Sequence, residues 1–407
     1  MSGDDRTRAI AALVARHLTP EVAREPLVGG WAEPTLPLVV PGFGQAEIAA
    51  AIGVLLDGRL TMGAHVAAFE AAWAAYVGTR HCVMLNSGSS ALLVLFSALV
   101  ETGRLRRGDE VLVPAVGWST SLFAVAQAGL RPVVVDVDPD TLCLEGTFDR
   151  PVLAVHLLGC PSQVQAPLVI EDACGAHGAA IGGQRVGGRG VGGCFSFFYS
   201  HHVTTGEGGA ITTSDDALAD AARSLRAHGW IRERSDRDAL AAASPGDDPR
   251  FHFVSAGYNL RPTDPMAAFG SVQLGRLDGF VDQRSNNHDD WCARVALLGL
   301  PLRVFPAPAG VRHAGFAFPL LLDADAPLDR SELCRRLEAQ GVQTRPISGG
   351  NLARQPAFAA VPGARVEGAL PVADAVHARG LFVGQSQAFG PAQGDLLCRA
   401  LVAAFAR

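Results

Sequence analysis

The stretch His81-Cys-Val-Met-Leu-Asn-Ser-Gly-Ser-Ser-Ala-Leu-Leu-Val-Leu-Phe-Ser-Ala-Leu-Val-Glu101 decides the fold of this 407-residue chain. The apolar run over residues 81–85 predicts a strand, and the small polar residues 86–90 predict a turn. Residues 91–101 follow with a helical period. A strand that leads through a short turn into a helix is the repeating unit of an α/β fold with a parallel sheet.

The same alternation continues on both sides of this unit. Helical periods occupy residues 45–57, 64–76 and 119–129, and strand signals occupy residues 110–114, 132–137, 152–157 and 168–171. Short apolar strands separated by helices predict a mostly parallel sheet covered on both faces. In such sheets the functional loops lie at the carboxyl ends of the strands.

The C-terminal part of the sequence predicts a smaller second unit. Residues 264–298 are helical in period, and strand signals at 316–322 and 343–346 enclose a helix at 329–340. Residues 8–18 predict a short amphipathic helix that ends at Pro20, and the polar residues 241–250 predict an exposed loop. We therefore expect three parts, namely an N-terminal arm (1–35), a large domain (36–285) and a small C-terminal α+β domain (286–407).

Composition argues against several functional classes. The net charge is −6 without a basic run, so nucleic acid is not an expected partner. The most apolar run, residues 91–100, is too short to span a bilayer, and the acidic start is unlike a secretory signal. The eight cysteines include no CxxC pair, which favours free thiols over a metal site. We expect a cytoplasmic protein without a metal and without a membrane partner.

A second stretch carries the chemistry: Cys194-Phe-Ser-Phe-Phe-Tyr-Ser-His-His-Val-Thr-Thr-Gly-Glu-Gly-Gly209. Adjacent histidines on an extended segment point apart, and no third ligand is close in sequence, so His201 and His202 are not expected to bind a metal. All 34 basic residues of the chain are arginines. Apart from the N-terminus, the protein therefore has no primary amine.

Three further positions are weak signals when each is taken alone. Residues 86–90 place N–H groups and hydroxyls at a helix start, which suits a phosphate but equally suits an ordinary helix cap. Asp172 ends an apolar strand, where it can pair with a protonated ring nitrogen or cap the next turn. Trp118 follows a strand and can stack on a flat ring, although core packing is the more frequent role.

Together, ordered segments resemble one family over nearly the whole chain. The matching segments are Gly58-Arg-Leu-Thr-Met-Gly63, Asn86-Ser-Gly-Ser-Ser-Ala91, Glu171-Asp-Ala-Cys174, Ser196-Phe-Phe198 with residues 204–209, Gly257-Tyr-Asn-Leu-Arg-Pro-Thr263, Thr344-Arg-Pro-Ile347 and Gly350-Asn-Leu-Ala-Arg-Gln-Pro356. They are similar to the sugar aminotransferases, fold-type-I pyridoxal phosphate enzymes that act on nucleotide-linked keto-sugars. The His-His version of the cofactor segment resembles a branch that does not transaminate, the sugar 3-dehydratases.

The resemblance implies that His201 stands where aminotransferases carry the cofactor-binding lysine. A lysine holds the cofactor as an imine and also moves protons, whereas histidine can do only the second. The resemblance thus implies pyridoxal 5'-phosphate and pyridoxamine 5'-phosphate bound non-covalently, with His201 as the catalytic base. It implies C3 deoxygenation of a 4-keto-sugar, with glutamate as amino donor and ammonia as a product.

The same resemblance assigns roles to other residues. The cofactor-binding set is Gly88, Ser89, Trp118, Asp172, Ser196 and Asn259, and the substrate-binding set is Ser200, Arg261, Arg345 and Asn351. Asn259 is expected to reach the phosphate of a neighbouring subunit, which implies a homodimer with shared active sites. One position departs from the family pattern, because Gly175 stands where a side chain usually bonds the hydroxyl of the cofactor ring.

Two alternatives stay open at the level of sequence. In the first, the chain is a catalytically silent homologue that partners an active aminotransferase, and in the second it is a dehydrase that adds a [2Fe-2S] cluster. Retention of Asp172, Ser196 and Asn259 argues against the first, and the absence of clustered cysteines argues against the second. Nothing in the sequence selects one nucleotide over another, and a keto-sugar within an antibiotic nucleoside is also compatible.

Overall fold

The structure, a computed structural model, describes residues 3–19, 28–246 and 248–406. Its strands are β1 (His81–Leu85), β2 (Glu110–Pro114), β3 (Arg131–Val135), β4 (Gly146–Thr147), β5 (Val152–Val155), β6 (Val164–Gln165), β7 (Val169–Asp172), β8 (Ala180–Ile181), β9 (Gln184–Arg185), β10 (Gly192–Ser196), β11 (Gly209–Thr213), β12 (Leu302–Arg303), β13 (Val311–Arg312), β14 (Ala317–Leu322), β15 (Thr344–Pro346), β16 (Arg365–Val366) and β17 (Gly380–Gly384). Its α-helices are α1 (Gly3–His17), α2 (Gln45–Leu56), α3 (Ala64–Val77), α4 (Gly88–Glu101), α5 (Ser119–Gln127), α6 (Asp216–Arg226), α7 (Arg237–Ala243), α8 (Asp264–Leu274), α9 (Leu277–Leu297), α10 (Arg330–Glu338), α11 (Pro371–Arg379) and α12 (Pro391–Phe405).

The large sheet has the strand order β1-β11-β10-β7-β5-β2-β3-β16. The pairs from β10 through β16 are parallel, and β11 is antiparallel to both of its neighbours. Helix α4 buries Leu92, Leu95 and Phe96 against this sheet. The mostly parallel α/β architecture predicted from the sequence is confirmed. The sequence predicted it because strands that are buried on both faces need continuous apolar runs.

A second sheet of order β12-β14-β17-β15 forms within residues 302–384. Its pairs are antiparallel, and helices α10 and α12 cover it with Leu333, Leu337 and Leu401 in the core. Strand β16, from the same part of the chain, instead joins the edge of the large sheet beside β3. The C-terminal part of the chain therefore contacts the large sheet directly.

Contacts run across both of the boundaries that the sequence predicts between the three parts, at residues 35/36 and 285/286. Helix α1 packs on α2 through an Arg6–Asp57 ion pair of 2.6 Å and a bond from Gln45 to the Ala11 carbonyl, while Pro20 lies outside the described residues. Leu36 bridges Val342 of the C-terminal part. The boundary at residues 285/286 lies inside α9, which runs without a break from one part into the other. The three-part division stays a prediction.

Local differences from the sequence expectation have physical causes. The helical period over 264–298 forms two helices, because α8 ends at Leu274 and Gly275, a weak helix former, separates it from α9. The expected loop over 241–250 begins inside α7, which ends at Ala243. In the part of the chain that the structure describes, no helix combines the length and apolar character that crossing a bilayer requires.

Two buried histidines stack on each other beneath the small sheet. The rings of His288 and His313 lie 3.8 Å apart with an interplanar angle of 13°. The His288 Nε2 atom bonds the Phe305 carbonyl, and the His313 Nδ1 atom accepts from the Gly315 N–H. Burial lowers the pKa of both imidazoles below 6.5, and for His313 the neighbouring His288 adds to the decrease.

These histidines predict a loss of stability in acid. Because their folded-state pKa values lie below the unfolded value near 6.5, the unfolded chain binds more protons once the pH falls below 6.5. Each histidine should then cost up to about 1.4 kcal/mol of unfolding free energy per pH unit. Urea unfolding between pH 7.5 and 5 should show a shallower pH slope for His313→Asn than for the natural protein. The exposed His17→Asn change serves as control, and equal slopes in all three proteins would contradict the assignment.

Candidate active site

Strand β7 ends in two carboxylates that point to opposite faces of the sheet. Glu171 is buried and accepts from His156 at 3.1 Å and from the N–H groups of Gly187, Arg189 and Gly190 at 2.7–2.9 Å. Burial alone would raise its pKa, but the bonds from His156 and the N–H groups hold the pKa of Glu171 below its ordinary value. Glu171 therefore fixes the loop of residues 187–190 behind the sheet. The adjacent Asp172, and not Glu171, faces the site.

Asp172 faces the carboxyl edge of the sheet. Its Oδ2 atom accepts from the Ser121 hydroxyl at 3.0 Å, and its Oδ1 atom accepts from the Cys174 N–H at 3.2 Å. The side chain is 7% exposed. Such a held carboxylate suits a protonated ring nitrogen. Sequence reasoning missed Ser121, whose hydroxyl reaches Asp172 only because β2 and β7 both flank β5.

Three backbone segments meet at Gly88, the first residue of α4. A Cβ atom at Gly88 would lie 2.6 Å from the Ser196 Cβ and 2.9 Å from the Cys174 sulfur. Opposite, a Cβ atom at Gly209 would lie 2.3 Å from the Ser87 carbonyl. The structure thus brings the predicted Gly88, Ser196 and Asp172 segments together at the start of a helix, the kind of position that suits an anion.

Ser89 and Trp118 stand at the open side of this cradle. Ser89 is exposed, and its hydroxyl lies 3.4 Å from that of Thr120, close to Trp118 in sequence. The Trp118 side chain is 62% exposed. The core position that Trp118 alone would favour is therefore wrong, and its ring is available to cover a flat ligand.

His201 lies in a turn after β10, where its N–H donates to the Phe198 carbonyl. Its ring contacts Phe316 at 5.0 Å, and His177 and Phe198 at 6.0 and 6.1 Å. Its Nδ1 atom is buried and has no hydrogen-bond partner among the described residues. Burial lowers the pKa of His201 to about 4, with a contribution from the Arg284 cation. The imidazole is an uncharged base with an unsatisfied nitrogen.

His202 points away from His201 into the interior. Its Nε2 atom bonds the Ala314 carbonyl at 2.8 Å, and the side chain is 1% exposed. Within the described residues, the group of donors close enough to hold a metal ion is instead Asp172, Cys174 and Cys194. The bond to Cys194 and burial keep the pKa of Cys174 well above its ordinary value, so this residue is a thiol. Two of these three donors are cysteines, whereas a [2Fe-2S] cluster is usually held by four.

Gly175 opens space beside the site. A Cβ atom there would lie 3.7 Å from the ring of Phe316, which also contacts His201. Phe316 thus faces the position at which the family pattern has a polar side chain. An aromatic ring cannot bond a ring hydroxyl, so the departure noted in the sequence stands.

Asn259 and Arg261 form a pair of their own. The Arg261 Nε atom donates to the Asn259 Oδ1 atom at 3.0 Å, and the Leu260 carbonyl accepts from the Asn86 N–H. Arg261 lines a cavity of about 170 Å³ together with Thr61, Met62, Trp230 and Arg232. No contact of the described chain joins this pair to His201. Ser200, the other predicted donor-carboxylate contact, adjoins His201 in the chain and is half-buried.

Arg345 and Asn351 differ in what they can offer a substrate. Arg345 is exposed, and its guanidinium donates only to the adjacent Thr344 carbonyl among described residues. Asn351 is fully buried, with its Oδ1 atom accepting from the Ala353 N–H and its Nδ2 atom donating to Asp374. Asn351 thereby holds the segment beside Val116 and Gly117, and its role as a direct substrate contact gains no support.

Comparisons with known proteins agree with this geometry. Residues 42–402 match the profile of the DegT/DnrJ/EryC1/StrS aminotransferase family. The chain is 32% identical over 372 residues to a GDP-4-keto-6-deoxy-D-mannose 3-dehydratase of Yersinia pseudotuberculosis, covering 86% of this chain and 94% of that protein. It is 34% identical over 368 residues to a dTDP-4-dehydro-2,6-dideoxy-D-glucose 3-dehydratase of Saccharopolyspora spinosa, covering 82% and 79%.

A solved structure is also similar. It is a GDP-4-keto-6-deoxymannose-3-dehydratase with a trapped PLP-glutamate geminal diamine, at 30% identity and a TM-score of 0.82, covering 90% of this chain and all of that one. The family and the fold-type-I architecture expected from the sequence are confirmed.

The close packing at Gly88 predicts a specific sensitivity. Gly88→Ala should lower the unfolding free energy by about 1–3 kcal/mol and weaken cofactor binding, because the new methyl group overlaps the Ser196 side chain. Urea unfolding and a titration with pyridoxal phosphate followed by absorbance measure both effects. The matched control is Gly53→Ala in α2, where a Cβ atom meets open space and stability should stay or rise by up to about 1 kcal/mol. Equal behaviour of the two variants would contradict the cradle.

Proposed function

The chain belongs to the DegT/DnrJ/EryC1/StrS aminotransferase family, and we propose that it is a 3-dehydratase of a nucleotide-linked 4-keto-sugar. Pyridoxal phosphate and its amine form are the cofactors. The observation that carries the proposal is the uncharged imidazole of His201, whose Nδ1 atom has no partner among the described residues, in a chain that has no lysine. Two of the similar proteins are 3-dehydratases of GDP- and dTDP-linked sugars.

The residues of this chain divide the work. When bound, the cofactor supplies an amine that reacts with the sugar ketone and a conjugated ring that accepts electrons. Asp172 pairs with the ring nitrogen and keeps it protonated, while Trp118 covers the ring. Gly88, Ser89 and Ser196 bind the phosphate at the start of α4.

His201 moves the proton. As an uncharged base it would take a proton at the cofactor, and as imidazolium it would return a proton to the departing C3 hydroxyl. The C3–O bond breaks and water leaves. Because the chain has no lysine amine to retain it, the amino group would leave with the deoxygenated sugar, and water would then release ammonia and the 3-deoxy-4-keto-sugar. Glutamate would restore the amine to the cofactor. A silent homologue would have no need of a cradle, a held carboxylate and a neutral base in one site.

The amino donor in this proposal is glutamate. The similar structure that holds a PLP-glutamate adduct supports it. Arg261 and Ser200 would bind the donor carboxylate, for which the planar guanidinium is suited. Because Arg261 is bonded to Asn259, it would reach the site from the same subunit as Asn259. Arg345, exposed on β15, is the proposed contact to the nucleotide or sugar.

His201→Asn tests the function. The variant should keep cofactor binding but lose about 10²- to 10⁴-fold in the rate of ammonia release, because the amide cannot accept a proton. The assay offers GDP- and dTDP-linked 4-keto-6-deoxy sugars with glutamate and follows ammonia and the deoxygenated product. Near-normal deoxygenation by the variant would exclude His201 as the base. In His201→Lys, borohydride should trap the cofactor on the protein, whereas the natural chain resists trapping.

We also propose a homodimer in which Asn259 binds the phosphate of the partner subunit. Its exposed position and its separation from the His201 contacts support this arrangement.

Subunit mixing tests the shared site. His201→Asn and Asn259→Ala should each be nearly inactive, yet equal mixtures after subunit exchange should regain about a quarter of natural activity, since half the dimers then hold one intact site. If Asn259 serves its own chain, both sites of every mixed dimer are defective and no activity returns.

A further inference from the structure

Arg284 is a buried cation without a counter-charge. It lies in the middle of α9 with 4% of its surface exposed, and among the described residues no carboxylate pairs with it. The comparably buried Arg226, in contrast, is paired with Glu70 at 2.6 Å and Glu233 at 2.7 Å. Because an unpaired buried charge is costly, an arginine kept in this state calls for a specific reason.

The guanidinium of Arg284 binds two segments of the C-terminal part. Its NH1 group donates to the carbonyls of Gly315 at 3.1 Å, Phe316 at 3.4 Å and Gln385 at 2.6 Å. Its Nε atom donates to the Gln387 Oε1 atom at 3.1 Å. Gly315 has φ +59°, and a Cβ atom there would lie 2.7 Å from the Arg284 carbonyl. Residues 315–316 are thus fixed against α9.

These fixed residues form the wall behind His201. The Phe316 ring contacts the His201 ring at 5.0 Å and faces Gly175. The preceding Ala314 carbonyl bonds the Nε2 atom of His202. One layer of side chains therefore separates the Arg284 cation from the His201 imidazole.

The cation also acts through space. The titratable rings beside His201 are His177 and His202, and burial lowers the pKa of all three imidazoles, with Arg284 contributing at each. Among the described residues, no carboxylate offsets this charge at His201. A fixed positive charge favours the neutral imidazole and makes the imidazolium a stronger acid. The first effect keeps the imidazole unprotonated at cellular pH, and the second favours delivery of its proton to a leaving group.

We infer that Arg284 is a positioning residue for the His201 base: it fixes the Phe316 wall against which the imidazole lies and sets the charge environment of that imidazole. The inference rests on the proposed function, since it concerns the same base. Arg284 itself touches neither sugar nor cofactor in this role.

Two variants remove the charge effect in different ways. Arg284→Gln deletes the cation. Gln387→Glu keeps Arg284 and places a carboxylate beside its Nε atom, so the positive charge is neutralised by an ion pair and no side chain is shortened. Arg284→Lys keeps the charge and is the control. In the cofactor-loaded full chain, the His201 ring resonance is identified by its loss in His201→Asn and titrated by NMR.

Arg284→Gln and Gln387→Glu should each raise the His201 titration midpoint by on the order of one pH unit, whereas Arg284→Lys should leave it near the natural value. The acid limb of the kcat profile for ammonia release should move in the same direction. An unchanged midpoint in Gln387→Glu, and in Arg284→Gln where that variant is folded, would overturn the inference.

The titration needs no turnover, so its outcome is separate from that of the proposed function. A raised midpoint in a protein that deoxygenates no keto-sugar would sink the proposed reaction and leave the electrostatic coupling intact. Normal turnover of the keto-sugar with an unshifted His201 midpoint in the variants would support the proposed reaction and overturn the role of Arg284.

Discussion

The desolvation of the His201 imidazole is the constraint on which the chemistry of this protein depends. An exposed histidine would be partly protonated near neutral pH, and the protonated fraction could not act as a base. Here the ring is held between Phe198, Phe316 and His177, and its pKa falls to about 4 because of burial and the Arg284 cation. The site therefore presents a neutral base at any cellular pH.

The same constraint explains why histidine differs from arginine at this position. A chain in which every basic residue except histidine is arginine could have placed a guanidinium there. A guanidinium never gives up its proton near neutrality, so it can neither hold an aldehyde as an imine nor act as a base. Of the two functions of lysine, imidazole preserves proton transfer and abandons the covalent link. In the proposed reaction, the loss of the link would allow the deoxygenated product to leave with the amine.

Local sequence signals predicted the strands and the helix that position the site. They could not predict contacts between residues that are far apart in the chain. The strand–turn–helix unit at residues 81–101 and the strand before Asp172 are decided by neighbouring residues, so the sequence predicted both. The position of His201 followed from family resemblance. Ser121, Phe316 and Arg284 lie 51, 115 and 83 positions from the residues they serve, Asp172 for the first and His201 for the other two. Only the strand order and the docking of the C-terminal part bring them into place.

Two residues occupy positions that the sequence did not indicate. Trp118 alone is typical of a core, yet it is 62% exposed because the segment 115–118 carries its backbone bonds to residues 349–352 and leaves the indole at the open edge. Asn351 was assigned to the substrate by resemblance. Both of its polar side-chain atoms form hydrogen bonds within the protein, to the Ala353 N–H and to Asp374, next to this same segment. The C-terminal part thus contributes to the site by holding the cofactor side in shape.

Two buried charges of opposite sign flank the groups assigned to the chemistry, Asp172 for the ring nitrogen and Arg284 for His201. Asp172 is a carboxylate held by a hydroxyl and an N–H donor, which favours a protonated ring nitrogen. Arg284 is a cation held only by neutral oxygens, which disfavours a protonated His201. In the proposed reaction, Asp172 would keep the ring nitrogen protonated and so favour loss of a proton to His201. Arg284 would make the resulting imidazolium a stronger acid and so favour transfer of the proton to the departing hydroxyl. The two buried charges would thus act on successive halves of one elimination.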